Sequence, residues 1–149
     1  MNDEYFMNQA IALAKEAAEE GEVPVGAVVV LDGKIVGAGR NRREISKNAL
    51  AHAEIEAINE ACRALGGWRL WQCDMYVTLE PCPMCTGAII NSRIKRLIYG
   101  ASDYKAGSCG GVIDLFSLPY NHKPEVAKGV MQEECAALLT DFFKKLRKK

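Results

Sequence analysis

Two cysteines three residues apart, Cys82 and Cys85 in Glu80-Pro81-Cys82-Pro83-Met84-Cys85, carry side chains that can grip one metal ion together. The β-branched and aromatic residues 76–79 ahead of them predict a buried strand, and Pro83 predicts the start of a helix. Both thiols then fall on the first helical turn, where the partial positive charge of a helix N-terminus favours thiolate over thiol. Two sulfurs do not complete a zinc site. His52, in Ala51-His52-Ala53-Glu54, opens a second helical pattern that runs to a Gly66-Gly67 stop. One imidazole and two thiolates make a three-ligand set, the arrangement in which catalytic zinc leaves its fourth position to water. Residues two apart on a helix point to different sides, so His52 and Glu54 converge only on something near the helix end. Glu54 is thereby placed to take a proton from an activated water and return it to a leaving group.

A C-x-x-C pair by itself also marks redox motifs and structural zinc sites. A structural site needs a fourth protein ligand, for which Cys109, Cys73 and His122 are the candidates. Glu54 beside His52 favours catalysis over both. The combination of H-x-E with a later P-C-x-x-C is the signature of zinc-dependent nucleobase deaminases. Much more of the chain resembles the bacterial tRNA-specific adenosine deaminases, within the cytidine and deoxycytidylate deaminase superfamily. The resemblance is carried by Gly21-Glu22-Val23-Pro24-Val25-Gly26-Ala27, Asn41, Val77-Thr78-Leu79-Glu80-Pro81, Ser92-Arg93-Ile94, Tyr99-Gly100-Ala101 with Asp103 and Lys105, Asn121-His122 and Asp141-Phe142-Phe143. It covers nearly the whole chain.

That resemblance implies one zinc ion per subunit on His52, Cys82 and Cys85, with Glu54 as proton shuttle. It implies hydrolytic conversion of adenosine to inosine at the wobble position of a tRNA anticodon, an arginine tRNA in most bacteria, with release of ammonia. Loop bases are already unpaired, which lowers the cost of drawing one into a pocket. The resemblance further implies substrate contacts from Val23, Asn41, Ala101, Asp103, Asn121, His122 and Phe143, and a homodimer whose two subunits both touch the RNA. DNA is not expected as the natural substrate. The run Cys109-Gly110-Gly111-Val112 and Ser102 depart from common family patterns, in a loop implied to contact the flanking nucleotides. Two other functions use the same residues: deamination of a free base or nucleoside, and a non-catalytic, zinc-stabilised RNA-binding module.

The elements that must position these groups are also readable. Residues 3–20 repeat apolar positions at Phe6, Ala10, Leu13, Ala14 and Ala17, one stripe of an amphipathic helix closed by Gly21. Residues 25–31 and 35–38 flank Asp32-Gly33, a hairpin signal because both residues tolerate positive φ. A further strand is predicted at residues 96–99, followed by a glycine-rich loop over residues 100–111. Residues 112–118 read as a short helix, residues 126–130 as a fifth strand, and residues 133–146 as a closing helix. Phe142 and Phe143 read mostly as core, with one ring at the rim free to stack on a loop base. Glu80, between a strand and a proline, reads as a structural hydrogen-bonding residue. The alternation of strands and helices argues a three-layer α/β/α sandwich over one five-stranded mixed sheet.

At 149 residues the chain is expected to be one deaminase domain. The acidic N-terminus and the shortness of the longest apolar run, residues 25–31, predict a cytoplasmic protein without a membrane span. In such a compartment Cys62, Cys73 and Cys135 are expected to pack as small hydrophobes rather than pair. Lysine plus arginine balances aspartate plus glutamate at 19 each, so net charge says nothing of nucleic acid. The distribution does, because Lys144, Lys145, Arg147, Lys148 and Lys149 crowd the final helix.

Overall fold

The structure is a computed structural model and describes residues 2–148. Five strands form one sheet in the order β2-β1-β3-β4-β5, with β1 Gly26–Leu31, β2 Lys34–Arg40, β3 Asp74–Leu79, β4 Arg96–Ala101 and β5 Glu125–Lys128. The first three pair antiparallel, and β3, β4 and β5 run parallel. The β1–β2 hairpin closes on Asp32 and Gly33 at φ 51° and 76°, the left-handed turn that the Asp-Gly pair predicts. Parallel strands need crossovers, and the helix after β3 supplies the one that returns the chain to β4.

Helix α1 (Asp3–Glu19) packs on one face of the sheet with α4 (Gln132–Arg147), and α2 (Ala53–Leu65) covers the other with α3 (Pro83–Ser92). Successive strand residues serve opposite layers. Ala27 and Val29 of β1, Met75 and Val77 of β3, and Leu97 and Tyr99 of β4 face α2 and α3. Val28, Val30, Tyr76 and Ile98 face α1 and α4. A sheet covered on both sides has no polar face, which is why β1 reads as an unbroken apolar run.

Two expectations change. Residues 112–118 form only a single 3-10 turn, Leu115–Ser117, because the Asp114 side chain accepts from Phe116 N and Pro119 follows at once. Phe142 and Phe143 are not core. Helix α4 buries only Cys135 fully, and its outer half leaves Phe142 half-buried and Phe143 exposed. Cys73 is buried as expected, Cys62 half-buried, and all six cysteines are free thiols.

Candidate active site

The C-terminal end of β3 delivers the chain through Glu80 and Pro81 to α3. Cys82 is the N-cap of α3, with extended backbone, and Pro83 fills the first helical position, where its missing N–H costs nothing. Cys85 follows within the first turn and is fully buried. His52 is the N-cap of α2 and makes no side-chain capping bond, so its imidazole is free to turn toward the cysteines. Two helix N-termini thus converge on one point, and both dipoles favour negative charge there.

The His52 Nδ1 atom lies 3.6 Å from Cys82 Sγ and 3.5 Å from Cys85 Sγ. Bonds of ~2.3 Å to sulfur and ~2.0 Å to nitrogen at a tetrahedral angle separate N from S by about 3.5 Å. Both N–S separations therefore match zinc, and the three donor atoms all lie within 4.8 Å of one another. Among the described residues this is the one group of three potential ligands within reach of one another. The proposed fourth ligands are elsewhere. Cys109 Sγ bonds to Thr86 Oγ1 at 3.5 Å, His122 Nε2 is 2.7 Å from the Ile94 carbonyl oxygen, and Cys73 sits ahead of β3 at the opposite end of that strand.

Without an ion the two thiols share a proton. A hydrogen bond from Cys85 draws the Cys82 pKa down to about 4 against the effect of burial, with help from the His52 ring. Donating that bond, together with burial, pushes Cys85 far up. His52 is raised, first by its bond to Cys82. A divalent cation would replace the shared proton and hold both sulfurs as thiolates. Glu54 is almost wholly buried, at 4% exposure, and desolvation lifts its pKa to about 7, opposed by hydrogen bonds from its own backbone amide and Cys85. A cation on the three donors favours its ionised form and draws that value back down.

These groups open onto a pocket of about 160 Å³ lined by His52, Glu54, Cys82, Asn41, Val23 and Asp103, with Val25, Arg43, Ala53, Leu79, Glu80 and Ala106. That is small beside the ~300–1,000 Å³ of sites for drug-sized ligands and suits one heterocycle rather than a whole nucleotide. Asn41 Nδ2 donates to the Val23 carbonyl at 3.3 Å, which leaves its buried Oδ1 with no partner. A buried acceptor left unpaired in a pocket is costly unless a ligand satisfies it.

Of the residues singled out for substrate contact, Asn41, Val23 and Asp103 meet at this pocket with the ligands and Glu54. Four others do not. The Ala101 side chain packs in the α1/α4 layer. Asn121 and His122 precede β5 at the far end of the parallel strands, and Phe143 is on the outer half of α4. Arg43 and Ala106 also line the pocket, and Glu22, which the sequence marks only as part of a resembling run, is buried. The Glu22 carboxylate accepts from Glu44 N at 3.2 Å and Ile45 N at 2.8 Å, fixing the loop that carries Arg43. An acidic residue directly before an apolar run was the available signal.

An α/β/α sandwich with H-x-E at the head of one helix and P-C-x-x-C at the head of the next defines a nucleobase deaminase of the kind that uses zinc. The family model described as MafB19-like deaminase matches residues 1–147. A tRNA-specific adenosine deaminase of Bacillus subtilis is 49% identical over 99% of this chain and 92% of its own. A solved structure from work on A-to-I editing by tRNA:A34 deaminases superposes with a TM-score of 0.88 at 46% identity, over 91% of this chain and 99% of that one. Guanine deaminase from Bacillus subtilis is similar at a lower level, 34% identical with a TM-score of 0.68, over 100% of this chain and 96% of its own. The chain belongs to the tRNA-specific adenosine deaminase family, and it is a hydrolytic deaminase.

Proposed function

We propose that this enzyme converts adenosine to inosine at the wobble position of a tRNA anticodon, that of an arginine tRNA, with zinc held by His52, Cys82 and Cys85. The observation that carries the reading is a buried carboxylic acid, Glu54, beside a three-donor cluster of zinc dimensions at the floor of a one-base pocket. When bound there, zinc supplies a Lewis acid that activates water at neutral pH.

The chain's own groups perform the rest. Glu54 accepts a proton from the attacking water and passes it to the ring nitrogen beside C6, which makes that carbon electrophilic. It then carries a proton to the departing amine, so that adenosine and water become inosine and ammonia. Burial serves this role, because desolvation opposes the pull of a bound cation toward the ionised form and so keeps both protonation states of Glu54 within reach at neutral pH. The unpaired Asn41 Oδ1 accepts a donor of the bound nucleoside, such as a ribose hydroxyl or ring substituent. The pocket holds one flipped base, and the remainder of an anticodon loop runs across Asp103, Ala106 and Arg43 at its rim.

The enzyme acts as a homodimer in the cytoplasm, and among the described residues no helix is long and apolar enough to cross a membrane. Asn121, His122 and Phe143 are remote from the pocket of their own subunit, so a contact from them to the RNA would fall beyond that pocket or across a dimer. The test is nucleoside mass spectrometry after incubating zinc-loaded protein with an anticodon stem-loop carrying a wobble adenosine, beside free adenosine, cytidine and guanine. Inosine from the stem-loop alone is expected. Product only from guanine would move the enzyme to the free-base branch that the 34% identical relative represents, and no product from any substrate would leave a zinc-stabilised binding module.

A further inference from the structure

Glu80 lies between β3 and Cys82 and is 2% exposed. Its partners are backbone amides rather than cations. Asp103 N donates to Oε1 at 2.9 Å, while Cys109 N and Gly111 N donate to Oε2 at 2.9 and 2.8 Å. The loop of residues 102–111 is therefore wrapped around one carboxylate, and two glycines allow it to close. A methyl group on Gly107 or Gly111 would collide with the Glu80 carboxyl and the Asp103 carbonyl. The same loop presents Asp103 and Ala106 to the pocket, and Ser108 N donates to the Pro81 carbonyl at 2.9 Å. One residue thus registers the pocket wall against the helix that carries both cysteines.

We propose that Glu80 is a positioning residue that holds the 102–111 loop as one wall of the pocket and thereby sets which groups beside the reacting base are accepted. The specificity part of this rests on the RNA substrate proposed above. The chemistry of the side chain makes the claim sharp. All three partners are donors, so only a group with two acceptor oxygens satisfies them. Glutamine has nearly the same shape, but in either orientation its amide N–H₂ faces at least one backbone N–H. The less costly orientation keeps the two bonds at Oε2 and sacrifices Asp103 N, the amide of the pocket-lining residue.

The experiment compares Glu80→Gln with the unaltered zinc-loaded enzyme by amide hydrogen exchange and by kinetics on stem-loops that differ only in the bases flanking the target. Faster exchange is expected within residues 103–111, with β3 and α3 unchanged. A roughly tenfold rise in KM is expected from one unsatisfied buried amide, with kcat held within about threefold, and with weaker discrimination among flanking bases. Gly107→Ala presses on the same carboxylate from the loop side and should give the same pattern. Unchanged exchange in the loop, or a loss confined to kcat with discrimination intact, overturns the proposal. Loss of zinc with faster exchange throughout also overturns it, because Glu80 would then be a residue of general stability. If the unaltered enzyme turns over no stem-loop, the substrate reading has failed, and the exchange result still decides whether Glu80 holds the loop.

Discussion

Replacing Gly39 with alanine asks how closely β2 sets the helix that carries His52 and Glu54. The methyl group would lie 2.3 Å from the Ala53 carbonyl oxygen, 2.8 Å from Glu56 Cβ and 2.9 Å from Ala57 N. Two of these are helix backbone atoms, which cannot rotate away, and Ala53 is the residue between His52 and Glu54. Restoring even 3.0 Å moves the first turn of α2 outward by at least 0.7 Å. Overpacking of this kind costs about 1–3 kcal/mol. At about 2–4 °C per kcal/mol for a chain near this size, the melting temperature should fall by roughly 2–12 °C. A displacement near 1 Å at reacting groups costs about 10²-fold, so single-turnover deamination should slow by roughly 10- to 100-fold. Gly37→Ala supplies the control. Its methyl would press equally hard, 2.2 Å from the Ala57 carbonyl, but one turn further along α2. It should lower the melting temperature by a similar amount and the rate by much less. Melting by circular dichroism, zinc content by mass spectrometry and inosine formation under single-turnover conditions measure the three quantities. Unaltered catalysis in Gly39→Ala, or equal slowing in both variants, would refute the reasoning that β2 fixes the site through this contact.

Glu54→Gln should retain its metal and lose roughly 10²- to 10⁴-fold in turnover; substantial remaining activity, or an empty site by metal analysis, contradicts the proton-carrier role. Cys85→Ala should release the metal, as should chelation of the unaltered enzyme. The chelated protein should melt lower, since a ligand at a hundredfold excess over its Kd stabilises by ~2.7 kcal/mol. At the opposite end of β3, Asp3 accepts from the Tyr76 hydroxyl at 2.6 Å and pairs with Arg96 at 3.1 Å. Desolvation raises the Asp3 pKa, but those bonds outweigh it and hold the carboxyl below its ordinary 3.8. A lowered folded value means stability that is present above the ordinary value and is lost as pH falls through the folded one. The melting advantage of the unaltered protein over Asp3→Asn should therefore persist at neutral pH and disappear in strong acid, and an advantage that grows on acidification would reverse the sign of this account.

What the sequence determined was local. Pro83 starts a helix with Cys82 at its N-cap and Cys85 in its first turn, Asp32-Gly33 turns a hairpin, and His52 stands at the head of the helix that stops at Gly66, because helix ends, turns and short spacings depend on a few neighbouring residues. The apolar runs of β1, β3 and β4 could be read for the same reason, and the alternation of strands with helices sufficed to give the layered sheet. The tertiary structure decided which distant segments share the pocket. Parallel pairing of β4 with β5 sends Asn121 and His122 to the end of the sheet away from Glu54, and residue order carries no sign of that. Only half-burial of α4 against the sheet leaves Phe143 outside, although its helical spacing matches a core residue. Above all, Glu22 reads as an ordinary acidic residue, and Glu80 as a hydrogen-bonding residue without named partners, until the loops that supply their N–H groups close over them. Buried polar groups must be satisfied by whichever chain segment folds against them, and that pairing is a property of the packed molecule.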